Sequence, residues 1–348
     1  MLAAGMRSNP RISVAMATYN GEKYLGEQLA SIMMQTLQPC ELVISDDGSS
    51  DSTVDIVKRF AAEARFRVLV LEPQSRLGYR MNFRRAANHC SGDLIAFADQ
   101  DDVWRPTKIE RLTQAFEEPS VQLAYHNARV FGNDADRLLY DDLIEESAAS
   151  DILSTPFKLS AGMTQMFRAS LCKYDPCWDS GIDHNVSDTI LAHDQFYFLI
   201  ARALGGIRYI REPLIDYRQH EQNASGADEA AGLLRRLHLT LLHFGEQDVR
   251  YAASAHSRSE LFRCAAEIAE SGRFARAANA FADYAKRLRR RAETYNGRTL
   301  WHRSLALAQS IGAGDYGSDG VHFDPRSVFR DTWSGVILGK TIDPTITQ

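Results

Sequence analysis

From Arg11 to about Phe131 the chain alternates short apolar runs with stretches of helical period. ISVAMA (12–17) is too short for a helix and reads as a buried strand. EKYLGEQLASIMMQT follows, with Leu25, Leu29 and Ile32 on one helical face. ELVISDD (41–47) gives a second strand, and DSTVDIVKRFAAEA a second helix that Asp51 or Ser52 is placed to cap. RVLVLEP (67–73) is a third strand, residues 79–90 a third helix and DLIAFAD (93–99) a fourth strand. Pro106 sits near the start of the next helix, and VQLAYHNARVF (121–131) returns to strand character.

Strands alternating with helices predict an α/β architecture: right-handed crossovers, a mostly parallel central sheet and helices on both faces. Such sheets bind ligands at the carboxyl ends of their strands. Here those ends are polar: Thr18-Tyr19-Asn20, Asp46-Asp47-Gly48 and Asp99-Gln100-Asp101-Asp102. They are expected to converge on one acidic crevice. Residues 132–160 are acidic and loop-rich, as expected of a flap. MTQMFR (163–168) reads as a strand, HDQFYFLIARALG (193–205) as a helix, and GIRYI and LIDYRQH as two short strands. From about Ala231 to Ser310 the pattern is helical. The expected division is a domain over residues 1–228, with halves at about 11–131 and 132–228, and a mainly helical region over 229–348.

The net charge of −5 argues against nucleic acid as a partner. Residues 231–303 hold 14 Lys and Arg against 7 Asp and Glu, or +7, which leaves −12 for the remainder. An acidic front suits a cation, and a basic rear suits an anionic surface or simple solvation. LLRRLHLTLLHF (233–244) carries one apolar stripe edged by arginine, which fits either packing on the catalytic domain or peripheral contact with the inner face of a membrane. No apolar run is long enough to span a bilayer, and the start of the chain lacks the apolar core of a signal peptide. Cys40, Cys90, Cys172, Cys177 and Cys264 complete no zinc pattern, so buried thiols in a reducing, cytoplasmic setting are expected.

The cluster Asp99-Gln100-Asp101-Asp102 is the sharpest chemical feature. Carboxylates this close repel one another unless a cation joins them, and Mg²⁺ or Mn²⁺ prefers such oxygen ligands and shares them with substrate phosphates. The plain alternative is a polar turn with capping carboxylates. DDGSSD (46–51) is by itself a common turn, but beside the first cluster its acids suit the base or ribose of a nucleotide.

SVAMATYN (13–20), ELVISDDGSSDST (41–53) and GDLIAFADQDDVWRP (92–106) occur in the order and spacing of the family 2 glycosyltransferases, which the chain resembles over roughly residues 11–225. With DQDDVW, GYRMNFRRA (78–86) and HDQFYF…YRQHEQNASG, it resembles the bacterial rhamnosyltransferase-like branch. The resemblance implies a GT-A fold, a nucleotide-diphospho-sugar donor and a glycan or lipid-linked glycan acceptor. Residue by residue it implies Asp47 at the base and Thr18 and Tyr19 in the nucleoside pocket. Asp99 and Asp101 would be the acids of the DXD motif, and Asp194 the catalytic base. His220 would contact diphosphate or metal. The full donor-binding set is then Thr18, Tyr19, Asn20, Asp46, Asp47, Asp99, Arg80 and His220, and the metal set Asp99, Asp101 and His220. Gln100 departs from commoner DXD forms but matches this branch.

The residues themselves support part of this. An inverting transfer needs a carboxylate on the acceptor side, and Asp194 lies far in sequence from the DXD acids. Its plain alternative is a helix N-cap. Arg218 beside His220 suits phosphate neutralisation or a polar turn, and Arg76, Arg80 and Arg84 flank the Gly78 loop. Trp104 suits a sugar-site wall or the core. A sugar-nucleotide pyrophosphorylase is the rival enzyme, but MATYNGEKYL lacks its repeated glycines and basic run. A non-catalytic nucleotide-sugar binding protein has no use for a base.

Overall fold

The computed structural model describes residues 10–71, 76–132, 135–140, 152, 156–157, 159–183, 189–220, 244–269, 271–297, 299–317 and 325–337. The 233–243 part of the basic amphipathic stretch and most of the acidic segment 132–160 lie outside them. By packing, the chain divides into two units: Met1–Ser150, Lys158–Asp175 and Ala192–Gln222 form one, and Asp151–Phe157, Pro176–Leu191 and Asn223–Gln348 the other.

The first unit is built on one mixed sheet. β1 (Ile12–Thr18), β2 (Glu41–Asp46), β3 (Arg67–Leu71) and β4 (Leu94–Ala98) pair in parallel in the order β3-β2-β1-β4. Every residue of β2 and β4 is buried; β4 accordingly reads as an unbroken apolar run, while β2 carries its apolar Leu42–Ile44 centre between buried polar ends. The connecting helices are α1 (Leu25–Met33), α2 (Thr53–Glu63) and α3 (Gly78–Asn88). Leu25, Leu29 and Ile32 of α1 join the core beneath β1, as their spacing predicts. Asp51, not Ser52, serves the start of α2, its Oδ1 accepting the Thr53 N–H at 3.0 Å.

Beyond β4 the sheet changes character. β5 (Val103–Trp104) and α4 (Lys108–Ala115) lead to β6 (Leu123–Gly132) and β7 (Ala135–Leu138). A 3₁₀ turn (Gly162–Thr164) precedes β8 (Gln165–Arg168), so only the last four residues of MTQMFR are strand. β8 enters antiparallel between β4 and β6. α5 (His193–Ala203) is nearly all buried, and β9 (Ile207–Arg218) follows. The two short strands expected at GIRYI and LIDYRQH are one. A register shift at His126/Asn127, opposite Pro213, absorbs the missing donor of the proline, so the ladder to β6 continues instead of breaking. β9 also pairs antiparallel with β5, setting Val103 opposite Asp216 and Trp104 opposite Ile215.

The second unit is helical: α6 (Phe244–Ala269), α7 (Gly272–Asn296), α8 (Leu300–Gly312), α9 (Pro325–Asp331) and a π-helical turn (Thr332–Ile337). Asp248, Arg291, Arg330 and Asp331 form a buried ion-pair group within it, with Tyr295 and Tyr316 each donating to Asp331 at 2.8 Å. Among the described residues no helix is long and apolar enough to cross a membrane. One expectation is corrected here. Cys177 and Cys264 are joined by a disulfide, while Cys40, Cys90 and Cys172 are free thiols. The sequence hides this pair because 87 residues separate two cysteines that the fold brings together.

Thiol titration of the protein unfolded without reductant should therefore find three free thiols, and five after reduction. Five thiols without reductant would show that the bridge is not formed. Cys264→Ser should lower the unfolding free energy by about 2–4 kcal/mol, read as the difference between urea melts.

Candidate active site

Because β1, β2 and β4 run parallel and adjacent, their carboxyl ends share one edge, and polar side chains stitch those ends together. The Thr18 hydroxyl donates to Asp46 Oδ2 at 2.7 Å. Gly48 and Ser49 N–H donate to Asp46 Oδ1 at 3.0 and 2.8 Å. The sequence places Asp46 among the donor contacts. These bonds seat its carboxylate in the turn, because a buried strand-end carboxylate must find donors. Thr18 is held the same way, facing Asp46 with 1% exposure. Gly48 turns at φ 82°, a conformation that favours glycine.

Asp47 accepts from the Leu77 and Gly78 N–H groups at 2.5 and 2.9 Å and so tethers the start of α3. Asn20, at φ 45°, accepts the Ser50 N–H through Oδ1 at 2.9 Å and builds the rim of the site. Gln100 explains itself: its Oε1 accepts the Tyr19 N–H at 2.9 Å and its Nε2 donates to Tyr19 O at 3.1 Å. The middle residue of the acidic motif thus welds the β4 end to the β1 end. Of the flanking arginines, Arg84 is bound by Asp175 at 2.8 Å and serves the fold. The Arg76 guanidinium lies 4.1 Å from the Tyr19 ring centroid and Arg80's 4.8 Å from that of Tyr79.

The acids after β4 occupy distinct environments. Asp99 is half-buried, and its carboxyl pKa is pushed up to about 7 by burial, by the Asp101 charge and by the Asp194 charge. Asp102 is fully buried; its Oδ1 accepts the Arg218 N–H at 3.1 Å, and burial beside Asp99 and Asp101 raises its pKa well above the carboxylate range. Lys108, also fully buried, donates through Nζ to Met163 O at 2.6 Å and lies 3.7 Å from the Trp104 ring centroid. Burial lowers its pKa well below the usual value, against the pull of Asp102 and Asp99. Trp104 is thus core, 2% exposed, and not a sugar wall.

Asp101 faces outward. Its Oδ2 lies 2.8 Å from His220 Nε2, and the His220 ring stacks on Tyr24 with centroids 5.0 Å apart. The β5–β9 pairing delivers this contact, carrying the end of β9 past the acidic turn. Arg218 fixes the register by donating through Nε to Asp101 O at 3.0 Å, and its guanidinium stacks on Tyr24 and Phe131. These residues line a cavity of about 750 Å³ together with Tyr19, Asn20, Lys23 and Gln100. Among the described residues no group of three or more His, Cys, Asp or Glu side chains surrounds a common metal position. The Asp101–His220 donor set still fits Mg²⁺ or Mn²⁺, which commonly take one or two protein ligands and complete their shell with water and substrate phosphates.

Asp194, at the first turn of α5, has Oδ1 accepting the Gln195 N–H at 2.8 Å and Oδ2 accepting the Gly162 N–H at 3.2 Å. Its charge reaches Asp99, so the fold brings this distant carboxylate to the acidic turn. The side chain of neighbouring His193 is buried against Phe83, with ring centroids 3.9 Å apart, and burial pushes its pKa down to about 3. Tyr24, Lys108 and Gly162 went unread in the sequence. Their signal is tertiary: a tyrosine, a lysine and a glycine in ordinary helix and loop contexts. Arg218 was visible as a neighbour of His220, but its job is to hold the Asp101 backbone.

This is the architecture of a nucleotide-binding GT-A sandwich with its acidic motif at the strand ends. Residues 13–174 match the family described as Glycosyl transferase family 2. It is similar to the dTDP-rhamnosyl transferase RfbG of Shigella flexneri, 29% identical over 225 residues, which cover 61% of this chain and 74% of that protein. It is also similar to an uncharacterized glycosyltransferase of Nostoc sp., 32% identical over 125 residues. That match covers 36% of this chain, and the chain spans only 38% of the length of that relative. Residues 1–349 of TarS from S. aureus, solved in complex with UDP-GlcNAc, superpose with a TM-score of 0.52 at 18% identity, covering 88% of this chain and 90% of that one. At that identity the likeness establishes the fold.

A carboxyl with a folded pKa near 7 keeps its proton where the unfolded chain has already lost it. Its stabilising effect is full below the ordinary aspartate pKa and is lost as pH rises towards 7. In metal-free buffer the stability difference between wild type and Asp99→Asn should therefore move in favour of the variant as pH rises from 5 to 7. His126 and His193 have lowered pKa values of opposite consequence, and they cancel in that difference. A difference independent of pH would show that Asp99 titrates normally.

Proposed function

We propose that this chain is an inverting, metal-assisted glycosyltransferase. It moves a sugar, with L-rhamnose from dTDP-rhamnose the leading choice, onto a hydroxyl of a glycan or lipid-linked glycan in cell-surface polysaccharide synthesis. The observation that carries the reading is the Asp101–His220 pair, 2.8 Å apart and lining a cavity at the strand ends, with Asp194 near enough to Asp99 for its charge to act on that carboxyl. Rhamnose is favoured by the similarity to a dTDP-rhamnosyl transferase over most of that protein's length.

In this reading the acceptor oxygen attacks the anomeric carbon as the bond from that carbon to the β-phosphate oxygen breaks. The Asp194 carboxylate takes the hydroxyl proton, and the nucleoside diphosphate leaves with the electron pair. Backbone N–H groups of Gly162 and Gln195 keep the carboxylate oriented. Asp101 and His220 would hold the cation, and a bound cation supplies positive charge to the departing diphosphate. Tyr19, with Arg76 stacked on it, offers an aromatic surface at the nucleoside end, and Asp47 lies beside it as the proposed base contact. Arg80, near the amino end of α3, is taken as a diphosphate contact. The catalytic domain is taken as residues 1–228 and the helical region as 229–348. The basic excess of residues 231–303 supports a station at the cytoplasmic face of the membrane, close to a lipid-linked acceptor.

Asp194→Asn should reduce transfer by about 10²–10⁴-fold while leaving donor affinity unchanged; sustained turnover would remove Asp194 as the base. In a melting-temperature series with Mn²⁺ or Mg²⁺, dTDP-rhamnose should raise the transition more than UDP-glucose or GDP-mannose at equal concentration. A larger rise with either of the others would reassign the donor.

A further inference from the structure

The segment 161–164 is a short turn, yet it is held from three directions. The Tyr140 hydroxyl accepts the Ala161 N–H at 2.6 Å, and the Thr164 hydroxyl donates to Ala161 O at 2.7 Å. Buried Lys108 donates to Met163 O at 2.6 Å. From this fixed turn the Gly162 N–H reaches out to Asp194 Oδ2. A Cβ added to Gly162 would stand 2.4 Å from His193 Nε2 and 3.3 Å from Asp194 Cβ, the first of which no side chain tolerates without displacement. The imidazole has nowhere to retreat. It is 5% exposed, stacked on Phe83 and edge-on to Phe97 with centroids 4.6 Å apart.

Neither nitrogen of His193 has a hydrogen-bond partner among the described residues. Burying two polar atoms unpaired costs stability, so the ring's position is set by packing against the aromatic floor and the bare glycine. Gly162 is not demanded by backbone conformation, since it is not among the residues of positive φ. It is demanded by this contact.

We infer that Gly162 and His193 act as a lock that positions Asp194: the glycine admits the imidazole, the imidazole seats the first turn of α5, and the glycine N–H then aims the carboxylate. Gly162 is a positioning residue, distinct from the proton acceptor itself, and this inference rests on the reading of Asp194 as the base. Two features follow. Two main-chain N–H groups bear on the carboxylate direction, and they do not swing as side chains do. The same buried lysine that lies in the field of Asp99 and Asp102 also braces the turn.

The test is steady-state kinetics with the dTDP-sugar that gives turnover, together with donor affinity by calorimetry. Gly162→Ala should lower kcat by about 100-fold, the size expected of a displacement near 1 Å, with donor Kd unchanged. His193→Ala makes room for the new methyl, so Gly162→Ala/His193→Ala should be no slower than His193→Ala alone, a non-additivity that general destabilisation does not produce. Tyr140→Phe, nearly isosteric, removes the acceptor that holds Ala161 and should lower kcat more mildly, again without change in donor Kd; it keeps the inference open to refutation should Gly162→Ala fail to fold. Full kcat in both Gly162→Ala and Tyr140→Phe, or additive losses in the double variant, would overturn the lock. Asp194→Asn run alongside separates the two readings: if it is inactive while those variants are fully active, only the lock falls, and if it is active, the base and the lock fall together.

Discussion

Mutual repulsion among the acids that follow β4 is the constraint on which the site is built. Asp99, Asp101 and Asp102 lie within four residues at the end of a wholly buried strand, where water screens their charges less than at an open surface. The fold answers each differently. Asp102 is buried against the Arg218 N–H and the field of Lys108; Asp99 is left with a raised pKa; Asp101 is turned out to meet His220. Much of the surrounding polar structure serves this arrangement: Gln100 welds two strand ends, Arg218 grips the Asp101 carbonyl, and the β5–β9 ladder brings His220 into reach.

The lysine is the least ordinary member. A fully buried ammonium is costly, and burial lowers the Lys108 pKa even though acids pull the other way on one side and a carbonyl and an indole face meet it on another. Through Met163 O it also steadies the turn that meets Asp194. Lys108 thus lies in the field of the acidic motif and braces the turn that meets Asp194, which is more than ninety residues from that motif in sequence. Local sequence gives no hint of that connection.

The parallel half of the sheet was readable because its strands are apolar runs bounded by helices of clear period, and because the helical stripe of Leu25, Leu29 and Ile32 has one face to bury. The polar strand ends were readable for the same reason: a hydrophilic cluster directly after a buried strand has few places to go. Beyond β4 the signals weaken. β5 is two residues long, β9 contains a proline that resembles a break, and the disulfide partners lie in unrelated sequence contexts. Asp194 was nameable only through resemblance; in isolation it looks like any first-turn aspartate.

The central claim is that this acidic edge recruits a divalent cation to grip a nucleotide's phosphates. Calorimetric titration of dTDP into the protein, with and without Mn²⁺, tests it most directly. The account predicts that the cation tightens binding by at least about tenfold, a gain of ~1.4 kcal/mol, and that Asp101→Asn erases the gain while leaving cation-free binding as it was. Equal affinity with and without the cation would contradict it.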